Sequence, residues 1–289
     1  MSSKASSLAS TAAMATFVLV WGSGAIFTRW GLDHSSAFAL LILRYGLAFG
    51  VLLLIGVRRR NWWPEPGTRV QVAAAGLMLI AGYSVFYFQA MVHGVTPGML
   101  ATLLGVQPIL TLLMTERRFP LSRLLGLLLA LTGLALVVYQ SLAQSELSSL
   151  GLGFAFASLL CMTFGAMMQK RVKQAPAEVL PLQYLVTLVA YLFFMPFQPF
   201  HFELSLDFLI PLVWLGLVTS VGAQLLLYRL IRSGNLVNVT SLLYLVPVVT
   251  VMLDYLILGN AMPMPAILGM AGIIAGLILV FKRPAARSA

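Results

Sequence analysis

The chain has 289 residues, 60% of them apolar and only 9% charged, with a mean hydropathy of +0.96. A soluble domain carries about 25% charged residues, so a soluble globular enzyme is excluded, and so is disorder, because a chain this apolar does not stay solvated. A net charge of +10 would point to nucleic acid in a soluble protein; its meaning here depends on where the basic residues fall.

Ten apolar runs follow one another along the chain. Each is read as a membrane helix, because inside lipid every backbone polar group must be paired within the segment. The first covers about 10–30. Lys4 before an apolar stretch imitates a signal peptide, but no clear cleavage site follows, so the run is taken as a span. Trp21 lies mid-span, where its indole N–H needs a partner, beside Ser23 and Gly24. The second run, about 37–57, carries Arg44 roughly 10 Å along the helix axis from its start. A charge at that depth costs at least ~2–3 kcal/mol unless water or a partner meets it. Arg44 is therefore read as a cation facing a cavity and attracting an anionic group such as a carboxylate, or else as half of a structural pair.

The third run, about 70–92, sets Tyr83 and Tyr87 one turn apart, with Gln89 nearby. The fourth, about 97–115, contains Pro108, with Gln107 and Thr111 on one face. The fifth, about 122–140, carries Gly126 and Gly133 and almost nothing polar, which suits scaffold packing. The sixth, about 150–170, holds the single cysteine, Cys161, so no intramolecular disulfide or CxxC site exists. The seventh, about 179–197, carries Gln183-Tyr184, and the eighth, about 208–230, carries Gln224 and Tyr228 one turn apart.

In the ninth run, about 236–258, Thr240, Tyr244, Pro247, Val251 and Asp254 share one helical face. That face is too polar for lipid and is expected to point inward. Asp254 is read as a coupling carboxylate or as the partner of Arg44 or Arg29. Pro108 and Pro247 are expected to kink their helices. The tenth run, about 265–282, holds Gly269, Gly272 and Gly276. The last two form a GxxxG that could pair in a homodimer, although packing within the chain is favoured. The residues expected to bind substrate are Arg44, Trp21, Tyr83, Tyr87, Gln107, Gln224, Tyr228 and Tyr244, since an amphipathic small molecule needs apolar contact and a few placed polar groups.

Sixteen of the eighteen Lys and Arg residues fall at alternate ends of the runs, on one side of the membrane. Positive loops stay inside, so both termini are expected in the cytoplasm of a bacterial cell, in its inner membrane. The +10 then records orientation, and no nucleic acid partner is called for.

Pro108 and Pro247 are 139 residues apart, and so are Arg44-Tyr45 and Gln183-Tyr184; Gly126 and Gly133 match Gly269 and Gly276 at an offset of 143. These matches divide the chain into residues 1–145 and 146–289, five helices each. Five is odd, so the second half is expected to be inverted relative to the first, as in many alternating-access carriers.

With Trp21-Gly22-Ser23-Gly24, Leu43-Arg44-Tyr45, Gln89-Ala90, Gly98-Met99-Leu100-Ala101, Pro108, Glu116 and the spaced glycines in this order, the sequence resembles the EamA-type members of the drug/metabolite transporter superfamily. The resemblance covers essentially the whole chain. It implies an all-α polytopic membrane protein of ten transmembrane helices in two EamA repeats, with a central cavity and cytoplasmic termini. It also implies export or exchange of small metabolites, commonly amino acids. Members usually carry a Glu after both the fourth and the ninth span; here the positions hold Glu116 and Asn260.

The function expected is secondary transport of a small amphipathic metabolite across the bilayer. Alternatives are a lipid or lipid-linked flippase and a channel-like facilitator. No nucleophile–base or clustered metal-ligand constellation occurs and no P-loop is present, so neither an enzyme nor a cofactor or metal is expected.

Overall fold

Long apolar runs in lipid have only the helix with which to pair their backbones, and helices are what the runs form. A computed structural model describes residues 2–59, 63–139, 148–253 and 263–282. Helix α1 is Ser2–Asp33 and α2 is Ala37–Arg59. Helix α3 is the span Pro66–Val92, and α4 consists of Pro97–Leu104 and Gln107–Thr115. Then come α5 (Leu121–Val137), α6 (Ser149–Arg171), α7 (Pro176–Phe194) and α8 (Leu206–Ser233). Helix α9 covers 236–253, with a 3-10 turn at Leu242–Tyr244, and α10 is Met264–Phe281. Among the described residues, seven of the ten contain stretches long and apolar enough to cross a membrane, and α4, α5 and α9 give shorter apolar helices of 10–17 residues.

Local chemistry sets the ends. Pro66 and Pro176 stand in the first turn of α3 and α7, where a missing N–H costs nothing. Ser205 and Asn235 cap α8 and α9 by accepting from Phe208 N–H (3.3 Å) and Asn238 N–H (3.2 Å).

Proline interrupts α4 and accompanies the interruption of α9. Around Pro108 the Ile109 N–H bonds to Val106 rather than to Gly105, which frees the Gly105 carbonyl. Tyr244 donates its hydroxyl to that carbonyl at 2.5 Å. In α9 the 3-10 turn lies between Thr240 and Pro247, so the polar face read at regular α-helical spacing is turned partway along. Two further irregularities leave no mark in the sequence. Helices α3 and α8 each contain a stretch of wider π-type turns, at Leu77–Gly82 and Trp214–Ala223.

Contacts divide the chain into two compact units, each drawing on both halves of the sequence. One comprises Met1–Phe88 and Leu160–Gly234, the other Gln89–Leu159 and Asn235–Ala289.

In the first unit α7 packs against α2 and α3, and α8 packs against α1 and α2. Gly76 of α3 lets that helix close on α7: a Cβ there would stand 2.6 Å from the Cβ of Gln183. Short pairing joins the α1–α2 and α7–α8 connections, with Ser36 N–H donating to His201 O and Glu203 N–H to His34 O, both at 2.9 Å.

The second unit is built on the α5–α10 pair. A Cβ on Gly133 would come within 2.5 Å of the Gly269 carbonyl, and one on Gly126 within 2.7 Å of the Gly276 carbonyl. The two helices thus touch backbone to backbone. The glycines of α10 are used inside the chain. Leu112, Leu127, Leu134, Tyr244, Val248 and Ile273 fill the core around the pair. A clamp of four side chains ties the end of α4 to the starts of α5 and α9. Arg123 Nη1 donates to both oxygens of Glu116 at 2.6 Å, its Nη2 donates to Asn235 (2.8 Å) and Asn238 (2.6 Å), and Asn235 Nδ2 donates to Glu116 at 2.9 Å.

Candidate functional site

Six of the residues expected to bind substrate lie in the first unit: Trp21, Arg44, Tyr83, Tyr87, Gln224 and Tyr228. Gln107 and Tyr244 belong to the second, as do Pro108 and Pro247. Asp254 lies outside the described residues.

Arg44 is the eighth residue of α2 and is half-buried. Its Nε donates to Ser220 Oγ on α8 at 2.7 Å, and its guanidinium carbon stands 5.1 Å from the centre of the Tyr45 ring, within cation–π range. The two Nη nitrogens donate to no described residue. Among the described residues, no carboxylate comes within ion-pair range of Arg44. Among the described residues the guanidinium thus keeps a two-donor edge that nothing meets, the geometry that grips a carboxylate bidentately.

Aromatic rings back the charge. Tyr45 lies 5.2 Å from Tyr184 and 5.9 Å from Tyr191, ring to ring. Tyr184 is fully buried and donates its hydroxyl to the Ser220 carbonyl. That bond falls within the π-type stretch of α8 and holds the residue whose side chain receives Arg44. On the other side of Tyr45, its hydroxyl faces Ser84 Oγ at 3.4 Å, a long contact, just beyond the π-type stretch of α3. The matching tyrosines of the two halves, Tyr45 and Tyr184, thus each meet a serine, Tyr45 through the Ser84 side chain and Tyr184 through the Ser220 carbonyl.

The remaining residues of the first unit are arranged less tightly. Tyr83 and Tyr87 are half-buried and pair at 5.8 Å. Trp21 is half-buried and packs on Phe17 at 5.3 Å. Gln224 and Tyr228 are buried on α8, and the Tyr228 hydroxyl lies beside Gln224 without a well-formed hydrogen bond. Ser23 accepts from the indole of Trp214 at 3.0 Å. In the second unit Gln107 and Thr111 are buried at the break of α4, and the Tyr244 hydroxyl is committed to Gly105.

Ser220, Tyr184, Tyr191 and Ser84 were missed by the sequence reading. Tyr184 had a signal, its match to Tyr45, whereas the serines look like ordinary small residues in apolar helices. A cavity of about 360 Å³ lies elsewhere in the same unit, lined by Leu209, Ile210, Val213, Trp214 and Val218. Its walls are apolar and hold none of the expected residues.

A model of the EamA-like transporter family matches residues 9–139 and 149–282. A protein of Archaeoglobus fulgidus described as an uncharacterized transporter is 20% identical over 277 residues, covering 93% of this chain and 98% of its own. A solved crystal structure aligns with a TM-score of 0.79 at 19% identity, over 94% of this chain and 96% of its own, and shares the fold.

Proposed function

Because the chain belongs to the EamA-like transporter family, a family of membrane transporters, we propose that it is a secondary carrier which exports or exchanges a small amphipathic metabolite bearing a carboxylate, an amino acid or a related compound. The carrier works by alternating access in a bacterial inner membrane, with the basic loops and both termini in the cytoplasm. Arg44 anchors the carboxylate. The rings of Tyr45, Tyr83 and Tyr87 give the apolar part of the substrate its surface.

The observation that carries this reading is the edge of Arg44 that no described residue meets. A guanidinium this deep in a span needs a counter-charge or water, and its Nη donors find neither carboxylate nor carbonyl among the described residues. A transported anion supplies the charge in transit and leaves again, which a fixed ion pair would prevent.

The test is flux in proteoliposomes. Wild-type protein should show saturable, counter-substrate-stimulated movement of a small carboxylate. Arg44→Gln, still folded, should bind that compound on the order of ten-fold or more weakly, the worth of a charged hydrogen bond. Undiminished flux through Arg44→Gln would remove Arg44 from the mechanism.

A further inference from the structure

A second cavity, this one polar and of about 280 Å³, opens where α3 begins and α6 ends. It lies apart from the Arg44 cluster and shares no residue with it. Its walls include Glu65, Thr68, Gln71, Arg171, Lys173 and Gln174. The frame is fixed by hydrogen bonds. Gln174 Nε2 donates to Thr68 Oγ1 at 2.8 Å, and Thr68 Oγ1 donates to the Glu65 carbonyl at 3.0 Å. These bonds hold the connection before α3 against the one after α6.

The charges on this frame are unspent. Glu65, Arg171 and Lys173 are exposed, and none of them is ion-paired with a described residue. Two cations at one edge suit a phosphate, and the positive end of α3 adds to them. Glu65 argues against a bare phosphate, since a carboxylate repels an anion. It calls for a ligand with a donor, an ammonium or hydroxyl, a short distance from the phosphate.

The position names the source. The cavity lies at the ends of two candidate spans, Pro66–Val92 and Ser149–Arg171, which is headgroup depth rather than acyl depth. Val70, one turn into α3, is 83% exposed and offers apolar surface for a chain. Basic pockets between membrane helices bind lipid headgroups, and the volume is near the lower end for small-ligand sites. We infer that this cavity binds a glycerophospholipid whose phosphodiester meets Arg171 and Lys173 and whose terminal ammonium or hydroxyl meets Glu65.

The test is lipid retention by the purified full chain in native mass spectrometry, with phosphatidylethanolamine, phosphatidylglycerol and phosphatidylcholine of identical acyl chains. The ethanolamine and glycerol lipids should be retained on the order of ten-fold over the choline lipid, whose headgroup has no donor. The double variant Arg171→Ala/Lys173→Ala should lose that retention. Glu65→Gln, a single exposed change that serves if the double variant does not fold, should bring the three lipids together. Equal retention of the choline lipid by wild type, or unchanged retention in either variant, overturns the assignment. Displacement of bound lipid by an equal concentration of soluble glycerophosphoethanolamine also overturns it, in favour of a soluble phosphodiester.

Discussion

Arg44 and Gln183 hold matching places in the two halves of the chain and meet opposite surroundings. Gln183 is fully buried, and its amide donates to the Val72 carbonyl at 3.2 Å and to Gln169 Oε1 at 2.8 Å. Arg44 is half-buried, and its outer nitrogens meet no described residue. One position is sealed and neutral, the other open and charged. Exchanging the two chemistries should therefore have unequal effects. Gln183→Arg puts a guanidinium where Gly76 already lacks clearance, at a cost of several kcal/mol for an unpaired buried charge. Little monodisperse protein should survive extraction. Arg44→Gln should extract normally. Size-exclusion profiles of the two variants side by side check this, and a well-behaved Gln183→Arg protein would contradict it.

If Arg44 anchors the substrate as proposed, Ser220, the acceptor of its Nε, acts on substrate through Arg44. Removing its hydroxyl in Ser220→Ala takes the acceptor from Nε and lets the guanidinium swing, while Tyr184 still holds the Ser220 carbonyl. The expected result is a KM for transport raised roughly ten-fold with kcat nearly unchanged. Ser220→Thr should restore most of the loss. A fall in kcat alone would show that Ser220 does something other than position Arg44.

The Tyr244 hydroxyl closes a gap that Pro108 opens. Tyr244→Phe leaves the Gly105 carbonyl unmet, at about 1–3 kcal/mol. In a Pro108→Ala background the α4 backbone can run on, and Ile109 N–H can serve Gly105 instead. The penalty for Tyr244→Phe should then shrink. A double-mutant cycle on thermal stability measures the coupling, and strict additivity would show that the two residues are independent.

Contact between α5 and α10 tolerates no side chain at Gly133. Gly133→Ala should destabilise by about 1–3 kcal/mol through overpacking. Gly153→Ala is the control, since a Cβ there meets nothing within 4 Å, and it should be neutral or slightly stabilising. Melting temperatures of both variants decide the matter; equal shifts would mean that the backbone contact is dispensable.

Much of this architecture was open to reading because lipid enforces simple rules. Apolar runs had to be helices, so all ten runs could be placed, and Pro108 announced the break in α4. Backbone irregularities without a proline could not be read. The stretches at Leu77–Gly82 and Trp214–Ala223 look like any other apolar helix, and they decide where Ser84 and Ser220 face. Arg123 was counted only as a charge setting orientation. Its clamp on Glu116 needed the turn through Phe119 and Pro120, which folds two residues seven apart into contact. Tyr244 looked like a wall residue, because a buried tyrosine serving a carbonyl and one serving a ligand have the same sequence signature. Arg44 stood out from the start, since charge at depth is rare enough to need a reason.

The glycine faces of α5 and α10 also bear on synthesis. On the ribosome α5 emerges long before α10, whose matching glycines lie 143 residues further along. Through that interval the backbone seam of α5 has no mate and faces lipid or an insertion factor. The second unit cannot close until the tenth helix has entered the bilayer. A chain cut after α9 should therefore lack a stable α5 as well as α10, and quality-control proteases should remove it whole rather than trim it to a surviving first unit.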